Sequence, residues 1–149
     1  MNEKLDIVSD IYNNLEKYKD VELEHHTSVA LRELALEKVR VKKYPNYPSR
    51  MACLYASETL EEAGKWFDYF ISLGRPTFQI VKLKVNGNVF YGDAENCFDG
   101  RLSEKENLLL AEKYWKNTDF SENSIIEILV DGDIEVIEIV KELRNDLLY

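Results

Sequence analysis

Two short glycine-centred segments constrain the fold of this chain more than any other feature of its sequence. Asn86-Gly87-Asn88 separates an alternating apolar and polar stretch over 77–85 from a short apolar run over 89–91. Asp131-Gly132-Asp133 separates two further apolar runs, 125–130 and 134–140. Glycine beside Asn or Asp, between two runs of strand type, is a strong signal for a tight hairpin turn. The sequence therefore predicts two hairpins in the second half of the chain.

The first half of the chain has helical periodicity instead. Apolar residues recur every three or four positions over 3–18 and over about 29–42, where Thr27 or Ser28 is suited to cap the second helix. Two more helices are predicted over about 58–73, between Ser57 as cap and Gly74 as stop, and over 103–117. The stretch 20–28 is ambiguous, with a short strand as one option. Helices early and hairpins late favour an α+β fold with a mainly antiparallel sheet.

Composition sets the broad class of the protein. A chain of 149 residues predicts a single domain over 1–149, with an N-terminal helix in 1–20 and the core from about 21 to 149. The formal charge of −9 has the wrong sign for nucleic-acid binding. Because no signal peptide and no apolar run of membrane-spanning length is visible, we expect a cytoplasmic protein of bacterial type that does not bind membranes. The sequence leaves its oligomeric state open.

Acidic residues are missing from one long window of this acidic chain. From Lys38 to Ser57 there are five basic residues and no Asp or Glu, which predicts a site for a small-molecule anion or nucleotide. Within it, Arg50 follows Pro48-Ser49 and precedes an apolar stretch, 51–56, that we predict to be a central strand. An arginine held in such a loop can bind phosphate or carboxylate bidentately. The alternative, which composition alone favours, is a structural salt bridge.

Other candidate residues each have two interpretations. Tyr55 is typical of a core tyrosine with a hydrogen-bonded hydroxyl, or of a stacking surface for a nicotinamide or adenine ring. Ser57 and Thr59 are most simply helix caps. Glu127 interrupts an apolar strand, so it must be exposed, paired or at the edge of a cleft, and beside Arg50 it would form a site.

A histidine pair, His25-His26, does not predict a metal site. Adjacent residues point in different directions on both strands and helices, and the chain has no cysteine or histidine at ligand spacing beside them. The two cysteines, Cys53 and Cys97, are expected to be reduced thiols.

Three parts of the sequence carry a resemblance to known families. The segment from Pro48 to Thr59, followed by a helix with Ala63 and Trp66, resembles the strand of the ADP-ribosyltransferase superfamily that ends in a Ser/Thr motif. The run that begins at Glu127 and continues through Gly132 and Val136 is similar to the late hairpin that opens with that superfamily's catalytic glutamate. The run Arg32 to Arg50 most closely resembles an uncharacterised bacterial family, catalogued only as a domain of unknown function, over roughly residues 30–140.

The resemblance implies a split, mainly antiparallel sheet with flanking helices that binds NAD in a cleft. It implies that Arg50 holds the pyrophosphate, that Tyr55 stacks on nicotinamide, and that Ser57 or Thr59 orients a catalytic Glu127. His25, His26 and Arg32 are the candidates for the residue that contacts the NAD ribose or phosphate from the family's first strand. NAD would be a substrate, and no metal is implied.

Two departures from the family pattern limit the activity. Ile125 stands where transferases that act on arginine carry a second glutamate, so arginine as acceptor is disfavoured. The interval from Ser57 to Glu127 is long for the family. Three hypotheses follow: an ADP-ribosyltransferase or NAD glycohydrolase; a non-catalytic domain of the same fold that binds a ligand or protein target; and an acidic inhibitor or immunity-type protein with a basic partner.

Overall fold

A computed structural model describes residues 2–77, 79–118 and 120–142; Phe78, within a predicted strand, lies outside them. The helices are α1 (Asn2–Asn13), α2 (Leu15–Tyr18), α3 (His25–Lys43), α4 (Leu60–Ser72) and α5 (Glu104–Lys116). The strands are β1 (Leu54–Ala56), β2 (Gln79–Asn86), β3 (Val89–Asp93), β4 (Ile126–Val130) and β5 (Asp133–Glu142). The α+β prediction is confirmed in these residues.

The strands form two antiparallel groups. A three-stranded sheet has the order β1-β4-β3, and β2 pairs with β5 in a two-stranded ribbon. The predicted antiparallel pairing is therefore confirmed. The predicted hairpins are wrong, because β2 does not pair with β3 and β4 does not pair with β5.

The two glycine segments lie side by side instead of turning back. Asn86 pairs with Asp133 and Val89 pairs with Val130, so one register runs from the ribbon into the three-stranded sheet. A Cβ on Gly87 would lie 2.0 Å from the Asp131 carbonyl oxygen, and Gly132 has φ of +89°. Glycine permits both the close backbone approach and the positive φ. The segments are thus a bend shared by two long strands.

The core lies where α3 and α5 pack on the three-stranded sheet. Trp115, Tyr114 and Leu129 have no exposed surface, and Phe90 keeps 2%. The indole Nε1 of Trp115 donates to the carbonyl oxygen of Leu36, 2.8 Å away, which ties α5 to α3. A second cluster, Val8, Ile11 and Leu31, joins α1 to α3.

Several local predictions need correction. Helix α3 begins at His25, with Glu24 as its N-cap, so Thr27 and Ser28 are not caps and 20–28 contains no strand. Strand β1 is three residues long, lies at the sheet edge, and exposes half of Leu54 and Tyr55, so it is not central. Thr59, not Ser57, caps α4: its Oγ1 accepts from the Glu62 amide at 3.2 Å. Gly74 ends α4 at φ +71°, as expected.

No helix in the described part of the chain is both long and apolar enough to cross a membrane.

Candidate functional site

The loop that carries Arg50 is held by the C-terminal half of α3. Arg40 donates from Nη1 to the carbonyl oxygens of Pro45 and Tyr47, at 3.2 and 2.9 Å. Ser49 donates to the Glu37 carboxylate at 2.9 Å, and Pro48 is fully buried. Because proline has a restricted backbone and the loop carbonyls are bonded, the position of Arg50 is well defined.

The guanidinium of Arg50 has a protein acceptor for every donor it carries. Nε and Nη2 donate to the two carboxylate oxygens of Glu33, at 3.0 and 3.3 Å. Nη1 donates to the Tyr114 hydroxyl at 2.7 Å and to Glu127, and Nη2 also reaches the thiol of Cys97 at 3.4 Å. Only 7% of the side chain is exposed. Arg50 therefore fits both interpretations, the structural salt bridge and the anion site, since it forms a buried ion pair and also borders a cavity.

Glu127 reaches Arg50 from the central strand β4. Its Oε1 accepts from Arg50 and from the hydroxyl of Tyr114, and its side chain keeps 14% of its surface exposed. Gly92 pairs with Glu127 across the sheet, and a Cβ there would lie 2.9 Å from the Tyr114 hydroxyl. Within the described part of the chain, Oε1 has both of these bonds and Oε2 has no protein donor.

Arg50, Glu33, Glu127 and Tyr114 form one cluster, and the charges of its members follow from burial and pairing. Burial alone disfavours a charged guanidinium, but the Tyr114 oxygen and the Glu127 and Glu33 carboxylates outweigh it and raise the pKa of Arg50. Burial, aided by the carboxylate of Glu127, raises the pKa of Tyr114 against the opposing effect of Arg50. Arg50 therefore stays charged, and the Tyr114 hydroxyl stays protonated as a donor to Glu127.

A cavity of about 430 Å³ opens beside this cluster. Its polar lining residues are Lys4, His26, Glu33, Arg50 and Tyr55, and its apolar ones come from α1, α3 and the Arg50 loop: Leu5, Val29, Ala30, Leu34 and Met51. Its volume lies in the range of small-molecule sites, roughly 300–1,000 Å³. The arrangement suits a ligand with an apolar or aromatic part and an anionic part.

Tyr55 forms one wall of the cavity. Its ring centre lies 5.5 Å from the Arg50 guanidinium carbon, and its hydroxyl donates to the Arg50 carbonyl oxygen at 3.3 Å. Burial raises the pKa of Tyr55 to about 12. Because half of the residue remains exposed, an aromatic ring has access to it.

The structure brings some of the predicted site residues together. Arg50 contacts Glu127 directly, and Tyr55 contacts Arg50. Ala56 pairs with Ile128 at the end of the β1-β4 ladder. Ser57 follows Ala56 and Glu127 precedes Ile128, so these two residues are the next opposed positions of the antiparallel strands. Arg32 donates from Nε to Glu33 at 3.1 Å and thus joins the cluster through a second residue.

Arg50 and Tyr55 line the cavity, whereas the other predicted site residues, Arg32, Ser57, Glu127, Thr59 and His25, are not among its lining residues. Thr59 caps α4, and His25 is exposed at the start of α3, beside the ring of His26. Their roles in binding stay predictions. Among the described residues, no group of three or more His, Cys, Asp or Glu side chains is placed to hold a metal ion.

Sequence reasoning missed two members of the cluster, Glu33 and Tyr114. Glu33 lies one helical turn before Glu37, and both pair with arginines, which is a weak signal on one face of α3. Tyr114 belongs to an ordinary buried helix stripe. Nothing in that pattern predicts that its hydroxyl meets a carboxylate from β4.

Comparison with known proteins adds a family but no activity. No protein with curated function matches the sequence significantly. A family model described as "Protein of unknown function (DUF2441)" matches residues 2–142, nearly the whole chain. The protein therefore belongs to the DUF2441 family.

Proposed function

We propose that this protein is an ADP-ribosyltransferase-like domain that binds NAD and cleaves its nicotinamide–ribose bond. One observation carries the proposal: Glu127 touches Arg50 at the end of the β1-β4 ladder, beside a cavity walled by Tyr55. The resemblance noted above assigns these residues to a single NAD site, and their contact supports that assignment.

The cavity offers complementary surfaces for the two halves of such a ligand. The exposed face of Tyr55 is suited to a nicotinamide ring, and the apolar residues of α3 extend that surface. Arg50 and Lys4 supply positive charge for phosphate groups. Ser57, next to Glu127 by register, is the residue that would orient the carboxylate.

Glu127 is arranged to act electrostatically. Oε1 is held by Arg50 and Tyr114, so Oε2 is the oxygen that would act on the ribose. Because Glu127 does not itself line the cavity but contacts Arg50, which does, the ribose must reach Oε2 beside Arg50. As the C1′–N bond breaks, its electrons go to the pyridinium nitrogen and nicotinamide leaves neutral. The carboxylate stabilises the positive charge that develops on the ribose. Attack on C1′ by water gives ADP-ribose and a proton, whereas attack by a protein side chain gives ADP-ribosylation.

A non-catalytic binding domain is the second candidate. It is favoured by the full occupancy of the Arg50 donors, which makes the cluster a stable structural element as well as a site. In that case NAD or a related nucleotide binds without turnover, and the −9 chain presents an acidic surface to a protein partner.

Nicotinamide release separates the two candidates. The wild-type protein, incubated with millimolar NAD, is expected to release nicotinamide, and Glu127→Gln is expected to lower the rate at least a hundredfold because the developing charge loses its partner. Glu135→Gln, a matched change on the exposed face of β5, is the control and should retain full activity.

Binding is measured on the same variants by thermal shift. A shift with NAD but no release supports the binding domain. Neither a shift nor release by the folded wild-type protein would refute both candidates.

A further inference from the structure

Glu33 occupies two guanidinium donors of Arg50, Nε and Nη2, that an external anion would need. Both residues line the cavity, whereas Glu127 and Tyr114 are not among its lining residues. Glu33 accepts from Nε and Nη2 of Arg50 with both of its carboxylate oxygens. A phosphate group uses the same planar fork of donors, so the two anions compete for one position.

We propose that Glu33 is an internal competitor that keeps Arg50 closed to anions, and that a phosphate-bearing ligand enters the cavity by displacing Glu33 from Arg50. The identity of that ligand as NAD rests on the proposed function; the exchange itself does not.

Arg32 makes this exchange feasible. Its Nε and Nη2 each lie 3.1 Å from Oε1 of Glu33, the oxygen that also accepts from Nη2 of Arg50. A displaced Glu33 therefore retains a charged partner. Since burying an unpaired carboxylate is costly, Arg32 removes the main barrier to displacement.

Glu127 does not need to move in the same step. Arg50 holds Glu127 through Nη1 and Glu33 through Nε and Nη2, so the two carboxylates use different donors. Tyr114 also keeps its bond to Glu127. An incoming phosphate thus replaces one carboxylate while the other stays in position.

The neighbouring cavity residues fit an anionic ligand. Lys4 lines the cavity and currently bonds Glu24 at 3.2 Å, and about a third of its side chain is exposed. An exposed ion pair of this kind is weak, so the ammonium can turn to a ligand at little cost. This adds a second cation near the position that Glu33 vacates.

The test is the affinity for inorganic pyrophosphate, measured by calorimetry on the full chain. Glu33→Gln is expected to bind about tenfold more tightly than the wild type, because a neutral amide competes less well for a guanidinium. Glu112→Gln is the charge-matched control: Glu112 on α5 pairs with Lys43 and is not among the residues that line the cavity. Its affinity should stay within about twofold of the wild type.

A second variant and a spectroscopic readout guard against a folding defect. Glu33→Asp keeps the charge but shortens the reach to Arg50, and it should bind pyrophosphate more tightly than the wild type. The ¹⁵N spectrum should show the Arg50 Nε–H signal shifting when pyrophosphate is added to the wild type. Equal affinity in the wild type and both Glu33 variants, or an equal gain in Glu112→Gln, overturns the proposal.

NAD separates this proposal from the proposed function. If pyrophosphate binding improves in Glu33→Gln but no variant binds or cleaves NAD, the exchange stands and the NAD assignment falls. If the wild type releases nicotinamide and the Glu33 variants show no gain for pyrophosphate, the exchange alone falls.

Discussion

The buried guanidinium of Arg50 and its two carboxylates depend on one another. Glu33 and Glu127 keep 19% and 14% of their side chains exposed, so neither is well solvated when Arg50 is absent. Removing one partner of a buried pair leaves the other charge uncompensated, which is far more damaging than loss of a surface pair. The paired residues of the candidate site therefore also contribute to the stability of the folded protein.

Arg50→Met tests this dependence. It should lower the free energy of unfolding by roughly 3 kcal/mol, since methionine fills the space but leaves Glu127 without its charged partner and Glu33 with Arg32 alone. Urea denaturation gives the value. Adding Glu127→Gln to Arg50→Met should recover part of the loss, because one orphaned charge is removed.

Lys65→Met is the control for removal of a positive charge. Lys65 pairs with Glu61 on the exposed face of α4, where a salt bridge contributes at most about 1 kcal/mol. An effect of Arg50→Met as small as that of Lys65→Met would contradict the interpretation of the cluster as buried and mutually dependent.

Among the elements, the paired strands connect the site to the rest of the fold. β4 carries Glu127 in the three-stranded sheet, and the same run of chain continues as β5 in the ribbon with β2. The bend at Gly87 and Gly132 lets one pair of strands serve both sheets. Helix α4 meets the ribbon, where the Lys141 ammonium lies 4.6 Å from the Phe67 ring centre.

Gly87→Ala tests the bend. The new Cβ would meet the Asp131 carbonyl oxygen, which belongs to the backbone and cannot move aside cheaply, so we expect a loss of about 2 kcal/mol in urea denaturation. Gly132 takes part in the same close approach of the two backbones. The losses in free energy of unfolding caused by Gly87→Ala and Gly132→Ala should therefore be strongly non-additive. Additive losses would indicate two independent turns.

Gly64→Ala is the matched control for these substitutions. Gly64 lies inside α4, and a Cβ there meets nothing within 4 Å. Alanine is the better helix former, so this change should raise stability by about 0.5–1 kcal/mol.

Over the whole molecule, the tyrosines make stability sensitive to alkaline pH. Burial raises the pKa of Tyr114 and brings that of Tyr55 to about 12, whereas an unfolded chain loses the proton near pH 10. Above pH 10 the unfolded state therefore binds fewer protons than the folded state, so stability falls as pH rises. Below pH 10 these groups are protonated in both states and contribute no pH dependence.

The two tyrosine hydroxyls should have no effect on the urea midpoint up to about pH 9.5. Above pH 10 the midpoint should decline. Tyr114→Phe should be less stable at neutral pH, since it loses the bond to Glu127, but its decline above pH 10 should be shallower. An unchanged alkaline slope in Tyr114→Phe would show that this hydroxyl does not cause the effect.

The local features of the fold were predictable from the sequence. The periodicity of 3–18 and 103–117 predicts helices that the structure contains as α1 with α2 and as α5, and Gly74 ends α4 as expected. These features depend on neighbours within four residues of each other. Errors of a few residues arose where two candidate caps lie close together, as with Ser57 and Thr59.

The partners of each strand were not predictable from the two glycine segments: glycine beside Asn or Asp favours a hairpin turn locally, whereas in the structure both segments form a bend between strands that pair at long range. For the site, the sequence alone singled out Arg50, Tyr55 and Glu127 through an acid-free window and an interrupted apolar strand. Only the tertiary structure decided that Glu33 from α3 and Tyr114 from α5 meet Arg50 and Glu127. Such contacts join residues 17 and 64 positions apart, and they form because packing of α3 and α5 on the sheet brings them together.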